Sequence, residues 1–540
     1  MSGFLLLVTI TPSVADNNLA NVPPDIKQLG MWLEERPEPV YAPTALYNLQ
    51  DNGTKVTLCN GFQDPFCSSA EVLYLIANFD ICSSNSKTNC ISDIWATDSK
   101  GQRKSGEFIK YIPGDSTQYL EGIPEKNIPD SHGIGSIWRI PGLENASDQN
   151  LFFIETRATL FKSKDKKSFD YGEINSSVTP VQTVSGSYGL PVLEKNGGFR
   201  GGQFSSIAAS DCLATDPQTC YRYRPFPADY RFGLTLRLGE NLLGWFHGRF
   251  HEPSISIIKR DVGQEISIEA DPIIVPALDF SVPISEVPQK VLDTIFPCTN
   301  TGACGRKWNS GVYKFIGNVT VDVTRDLMNA FVPAFKNKST SERSYWSFKK
   351  MHDYSVGAQK LTQCATKLGE LNGIVTTNSL TYSSGPPSFD EGSGTLIYKV
   401  SSPSFMSDGK TQASGTYDLV MKSALARCIY GFSDAPIKAE ISVINEDGTN
   451  QVATTVVGEN GGWLHLSAKG FHYSSPSLQV KLTQENSIAP AKTTPVINSK
   501  PSSTTISTNK KITITCTKGK VQKMVTATNP KCPAGFKKKI

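Results

Sequence analysis

Twelve cysteines constrain this 540-residue chain more than any other feature. They are Cys59, Cys67, Cys82, Cys90, Cys212, Cys220, Cys298, Cys304, Cys364, Cys428, Cys516 and Cys532. The first three neighbouring pairs are each 8 residues apart, Cys298 and Cys304 are 6 apart, and Cys516 and Cys532 are 16 apart. Cys364 and Cys428 are left for each other. Spacing does not prove connectivity, and neighbour pairing is the economical reading. Closing the short loops stabilises by ~2.5 kcal/mol each in the chain-entropy model, and the 364–428 loop by ~4 kcal/mol. Structural zinc needs paired C-x2–4-C knuckles, and the sequence has none. Disulfides in this number require an oxidising compartment, so the chain is expected outside the cell.

The N-terminus points the same way. An apolar run, Phe4 to Ile10, leads to Ser13-Val14-Ala15, and small residues there suit cleavage before Asp16. A basic leading segment is missing, so residues 1–15 are read as an incomplete signal peptide. No later stretch approaches the ~18 apolar residues of a membrane span.

A chain of this length exceeds a single core, and several domains are expected. The charged fraction is low, 19%, and apolar residues make up 39%. Short runs with period-two alternation recur between Gly, Pro, Asn and Asp turns. The expected fold class is therefore mainly β: several β-sandwich-like domains in tandem, a few short helices and a small disulfide-stapled C-terminal hairpin. Residues 16–45 read as an extended arm with one helical turn around Ile26–Trp32. Residues 46–160 and 161–285 read as β domains, and 286–365 as a mixed segment. Two helices are expected, at 285–296 with Ser285 as N-cap and at 324–335, where Pro333 must end or kink the second. Residues 366–485 carry seven strand-like runs, among them RCIYGF, and suggest an immunoglobulin-like sandwich. Residues 486–510 are a Pro/Ser/Thr linker, and 511–540 a basic hairpin.

Chemistry is sparse. The stretch Trp245-Phe246-His247-Gly248-Arg249-Phe250-His251 puts His247, Arg249 and His251 on one face of a strand. Arg249 between the histidines repels a cation, so a packed polar face is preferred to a metal site. The stretch CYRYRPFPADYRF offers Tyr221, Arg222, Tyr223 and Arg224 as a stacking and hydrogen-bonding surface for sugars or anionic polymers. With Trp245, His247, Arg249 and His251, these are the candidate ligand-surface residues. No G-x-S-x-G, H-E-x-x-H, Walker A or G-x-G-x-x-G is present. Ser347-Phe348-Lys349-Lys350 matches S-x-x-K without its partner motifs. No cofactor and no catalytic residue is assigned. Paired carboxylates leave no local signature, so an extracellular polysaccharide hydrolase is the alternative reading.

The charge is segregated. Residues 486–540 hold 11 lysines and no acid, so against the whole-chain +4 the rest sums to 4 − 11 = −7. Lys511, Lys518, Lys520, Lys523, Lys531, Lys537, Lys538 and Lys539 form the expected contact with an anionic surface. The expected partner is an anionic cell-wall polymer or polysaccharide, not nucleic acid.

The tail ITITCTKGKVQKMVTATNPKCPAGFKKK resembles a C-terminal segment of uncharacterised secreted actinobacterial proteins. GTYDLVMKSALARCIYGFSDAPIKAEISVINEDG is similar to the domain preceding it there, and CISDIWATDSKG and GWFHGRFHEPSISI to further segments. The resemblance covers a third to half of the chain. It implies export and a life at the cell envelope, and it supplies no catalytic residue.

Overall fold

The computed structural model describes residues 22–35, 43–50, 55–83, 88–114, 119–143, 149–189, 191–193, 199–201, 212–296, 306–309, 311–317, 319–320, 322–351, 359–434, 436–444, 450–451, 454–473, 477–484, 512–518, 521–527, 531–532 and 536–538. The signal-peptide expectation at 1–15 and the whole of the 486–510 linker lie outside them. The chain forms two units, Met1–Asn486 and Ser487–Ile540.

The structure is mainly β. In the large unit one sheet of fifteen strands runs from Lys55–Leu58 at one edge to Thr454–Asn460 at the other. Its middle is made by Leu151–Ser163, Asp170–Ser185, Ser347–Lys350, Gly244–Arg249, Leu371–Thr377 and Ser414–Lys422 in that order. The sheet thus passes through segments on both sides of the expected boundaries at 160, 285 and 365.

Alternation along these strands feeds two cores. Ile374 pairs with Val420, and both join the core shared with the five-stranded sheet of Cys90–Asp98, Tyr230–Leu238 and Gln264–Asp271. Their neighbours Val375 and Leu419 also pair, and they point into the other core. There a six-stranded sheet containing Thr395–Ser401, Ile437–Ile444 and Ser477–Gln484 covers the long sheet. Period-two side-chain placement is the physical reason one sheet can serve both layers.

Five α-helices occur among the described residues: α1 Pro65–Ser68, α2 Gln289–Ile295, α3 Asp322–Phe335, α4 Gln359–Leu368 and α5 Ser423–Tyr430. The two expected helices correspond to α2 and α3. Helix α2 starts later than expected, with Pro288 rather than Ser285 at its N-cap. Helix α3 carries Pro333 in its last turn and ends two residues on. The stretch RCIYGF, expected as a strand, belongs instead to α5 and its cap. Leu425, Ala426 and Ile429 bury one helical face, and Gly431 closes the end at φ 69°, a left-handed conformation glycine adopts without strain. The helical turn expected around Ile26–Trp32 is also corrected. Gln28–Leu33 is a strand, antiparallel to Ile273–Pro283 and parallel to Val312–Ile316, with Leu29, Met31 and Leu33 fully buried.

Four of the cysteine pairs are bonded: Cys59–Cys67, Cys82–Cys90, Cys212–Cys220 and Cys364–Cys428. Cys532 is also disulfide-bonded. Cys298 and Cys304 lie outside the described residues.

Candidate functional site

The long sheet carries a polar patch where two rows of side chains cross its centre. One row runs Asn78, Arg157, Asn175, Lys349, His247, each the register partner of the next. The adjacent row runs Glu155, Ser177, Ser347, Arg249. Members of both rows share one face because each row is two residues from the other along every strand. Past His247 the first row turns apolar, through Val375, Leu419 and Leu466.

Glu35, just beyond the strand Gln28–Leu33, closes over this patch. Arg249 donates to Glu35 Oε2 from Nε at 3.0 Å and from Nη2 at 2.5 Å. Its Nη1 donates to the carbonyls of Thr377 at 2.8 Å and Ser379 at 2.6 Å. The Tyr382 ring lies 4.4 Å from the guanidinium. Lys349 Nζ stands 3.6 Å from Glu35 Oε1, and Tyr345 donates to the Glu35 carbonyl at 2.7 Å. Such a fork matches a carboxylate on one edge and carbonyls on the other, which only arginine offers. Burial pushes the Glu35 carboxyl up, and Arg249 and Lys349 more than offset that, leaving it below the usual range.

His247 stacks on Tyr382 at 3.7 Å, with the rings 8° from parallel. Burial, reinforced by Arg249 and Lys349, holds its imidazole neutral, well below the usual histidine range. Glu155 takes the opposite course. Burial pushes its carboxyl up to about 7, against the pull of Arg157, whose Nη1 is 3.8 Å away. Glu35, Glu155, His247, Arg249 and Lys349 all line one cavity of about 20 Å³, room for about one water.

Glu155 sets a pH dependence. In the unfolded chain its carboxyl titrates near 4.5, so between there and 7 the folded form keeps a proton that the unfolded form has lost. Its contribution is complete below about 4.5 and fades by ~3 kcal/mol as pH rises to 7. Glu155→Gln keeps the shape and removes the titration. The melting temperature of the variant relative to the parent should climb between pH 5 and pH 8; a difference that stays constant across that range refutes the assignment.

His251 does not continue the His247/Arg249 face. The strand Gly244–Arg249 stops before Phe250, and His251 opens a strand of the five-stranded sheet. It meets Asp418 at 2.8 Å, and Asp418 also accepts from Thr376 Oγ1 at 2.8 Å and the Glu252 amide at 2.9 Å. Burial pulls the His251 pKa down, and Asp418 more than restores it, so the net shift is upward.

The stretch expected to offer stacking rings is occupied internally. Tyr221 is 3% exposed and packs with Ile137, Phe153 and Val181. Tyr223 shares a 2.7 Å hydrogen bond with Ser344 and lies under Arg343. Arg224 donates to the Tyr223 carbonyl and to Gln182. Arg222 sits half-buried between them. These residues hold the strand Thr219–Tyr223 against Asp170–Ser185.

Sequence reasoning passed over Glu35, Glu155 and Arg157, and met Lys349 only inside the S-x-x-K match it set aside. The signal was present in LFFIETRATLF, where Glu155 and Arg157 stand two apart inside a strand-like apolar run. Charges in such a place must be paired, here with each other along one strand.

The unit Ser487–Ile540 holds a three-stranded sheet, Val521–Ala527, Ile512–Lys518 and Lys537–Lys538 in that order. Lys523 and Lys538 are the register partners of Cys516 on its two sides. Lys531 and Lys537 are exposed. Lys511, Lys520 and Lys539 lie outside the described residues, and Lys518 is the last residue of its strand.

No protein-family model, curated protein or solved structure matches the chain.

Proposed function

We infer that this is an extracellular, non-enzymatic binding or structural protein, held at a cell envelope by electrostatic contact of Ser487–Ile540 with an anionic polymer. One observation carries the reading. The boundary between the two units falls at Asn486/Ser487, and the last acidic residue of the chain is Glu485. The basic segment and the second unit therefore coincide, which supports reading it as a polycationic module. The disulfides suit an oxidising compartment, and no described helix is long and apolar enough to cross a membrane. The resemblance to secreted actinobacterial proteins makes their anionic wall polymers the first partner to try.

The hydrolase alternative needs paired carboxylates in a space that admits a sugar. Glu35 and Glu155 do line one cavity, but at about 20 Å³ it is far below the ~300 Å³ at which ligand pockets begin. Their partners Arg249, Lys349 and Arg157 fit a structural charge centre.

The test is co-sedimentation with purified anionic cell walls across a salt series. The full chain should pellet at low salt and be released as the Debye length shrinks towards ~3 Å at 1 M. A chain ending at Asn486, and a full chain with its tail lysines changed to glutamine, should stay in solution. Equal pelleting of all three overturns the reading.

A further inference from the structure

We propose that the cavity under helix α4 is a binding site for a small planar amide, a ring carrying a carbonyl acceptor and an N–H donor. The cavity measures about 160 Å³ and is walled by Leu243, Trp245, Leu361, Ala365, Asn372 and Pro386. An apolar cavity of ~150 Å³ already accommodates benzene. Two of the residues that line it each hold a buried polar atom left without a partner: Trp245 Nε1, a donor, and Asn372 Oδ1, an acceptor. Trp245 is 1% exposed and Asn372 3%. Nearly all buried polar groups in proteins are hydrogen-bonded, so an unpaired donor and an unpaired acceptor in residues lining one cavity offer a ligand two complementary partners.

The backbone builds this arrangement. Gly244 pairs with Leu371 but Trp245 pairs with Gly373, so Asn372 is the extra residue of a bulge in a parallel ladder. Bulges re-aim side chains and gather at functional sites, and they are uncommon in parallel pairs. Gly373 completes the geometry. A Cβ there would stand 2.5 Å from Trp245 Cζ3 and 2.5 Å from the Val420 carbonyl oxygen, so only glycine lets the indole lie against that strand. Thr362 and Thr366 of α4 are exposed and also line the cavity, which places an entrance on the helix side. The ligand carbonyl would accept from Trp245, and its N–H would donate to Asn372.

The site is independent of Ser487–Ile540 and of the polymer reading. The test titrates the full chain with benzamide and with benzene by ligand-observed NMR. Benzamide should bind about tenfold more tightly, because benzene leaves both polar groups unpaired. Trp245→Phe should weaken benzamide about tenfold and leave benzene unchanged. Ala365→Leu, at a half-buried position of α4 on the edge of the core, should block both ligands, and it decides the matter if Trp245→Phe fails to fold. Equal or tighter binding of benzene makes the cavity a dry void and overturns the proposal. So does binding of neither compound, or benzamide binding that survives Ala365→Leu.

Discussion

Replacing Arg249 with methionine should cost about 3–5 kcal/mol of folding free energy. The figure follows from what stays behind. Glu35 has 6% of its side chain exposed, and its remaining cation, Lys349 at 3.6 Å, is itself 24% exposed. The carbonyls of Thr377, Ser379 and Leu380 lose their donor at the same time. A buried carboxylate without adequate compensation is expensive, and buried carbonyls without donors add to it. Glu35→Gln should cost less, since Arg249 keeps three carbonyl partners and the amide oxygen still accepts. Urea denaturation of the three proteins gives the ranking. A methionine variant within about 1 kcal/mol of the parent, as expected for an exposed pair, would show that the centre is hydrated and open.

The same centre shows how far local pattern reading reaches. Strands such as QEISIEAD, Gln264–Asp271, alternate buried and half-buried residues throughout, and period-two reading finds them. Cysteine spacing anticipated three of the pairings visible here, because loops of 8 residues close between adjacent turns and strands; Cys364–Cys428, 64 residues apart, followed by elimination. The pairing of Ser347–Lys350 between Asp170–Ser185 and Gly244–Arg249 was beyond such reading. Nothing local in SFKK specifies partners some hundred and more residues away, and the contact exists only once the sheet is assembled. Glu35 is the harder case. Leu29, Met31 and Leu33 alternate in QLGMWL, and that pattern marks a strand; the proline-rich flanks hid it. An arm read as extended, with one helical turn, instead carries a strand and the buried Glu35. Helix α5 escaped for a different reason. Eight residues containing Ile, Tyr and Cys fit either period, and Gly431 as a C-terminal cap was the one discriminating residue.

Removing the Cys364–Cys428 bridge by a double change to alanine should destabilise the protein by about 4 kcal/mol, against about 2.5 kcal/mol for Cys82–Cys90. The difference comes from the unfolded chain. The first bridge spans 64 residues and the second 8, and the entropy a cross-link withholds from the unfolded state grows with the logarithm of the loop. The 364–428 bridge also joins α4 to α5. Helix α4 follows residues outside the described set; among its residues of described burial only Leu361 and Cys364 are buried, with Ala365 and Leu368 half-buried against the core. Ten residues do not hold a helix by propensity alone, so the bridge, with this short apolar face, should fix α4 in place. Hydrogen exchange should therefore accelerate across α4 in the double alanine variant well before the long sheet is affected. Benzamide binding should fall with it, since α4 forms a wall of the cavity beside Trp245 and Asn372. Equal costs for the two bridges would place the stabilisation in local geometry rather than chain entropy. Unchanged exchange in α4 would mean that packing against the sheet already holds the helix, and the cavity with it, without the covalent link.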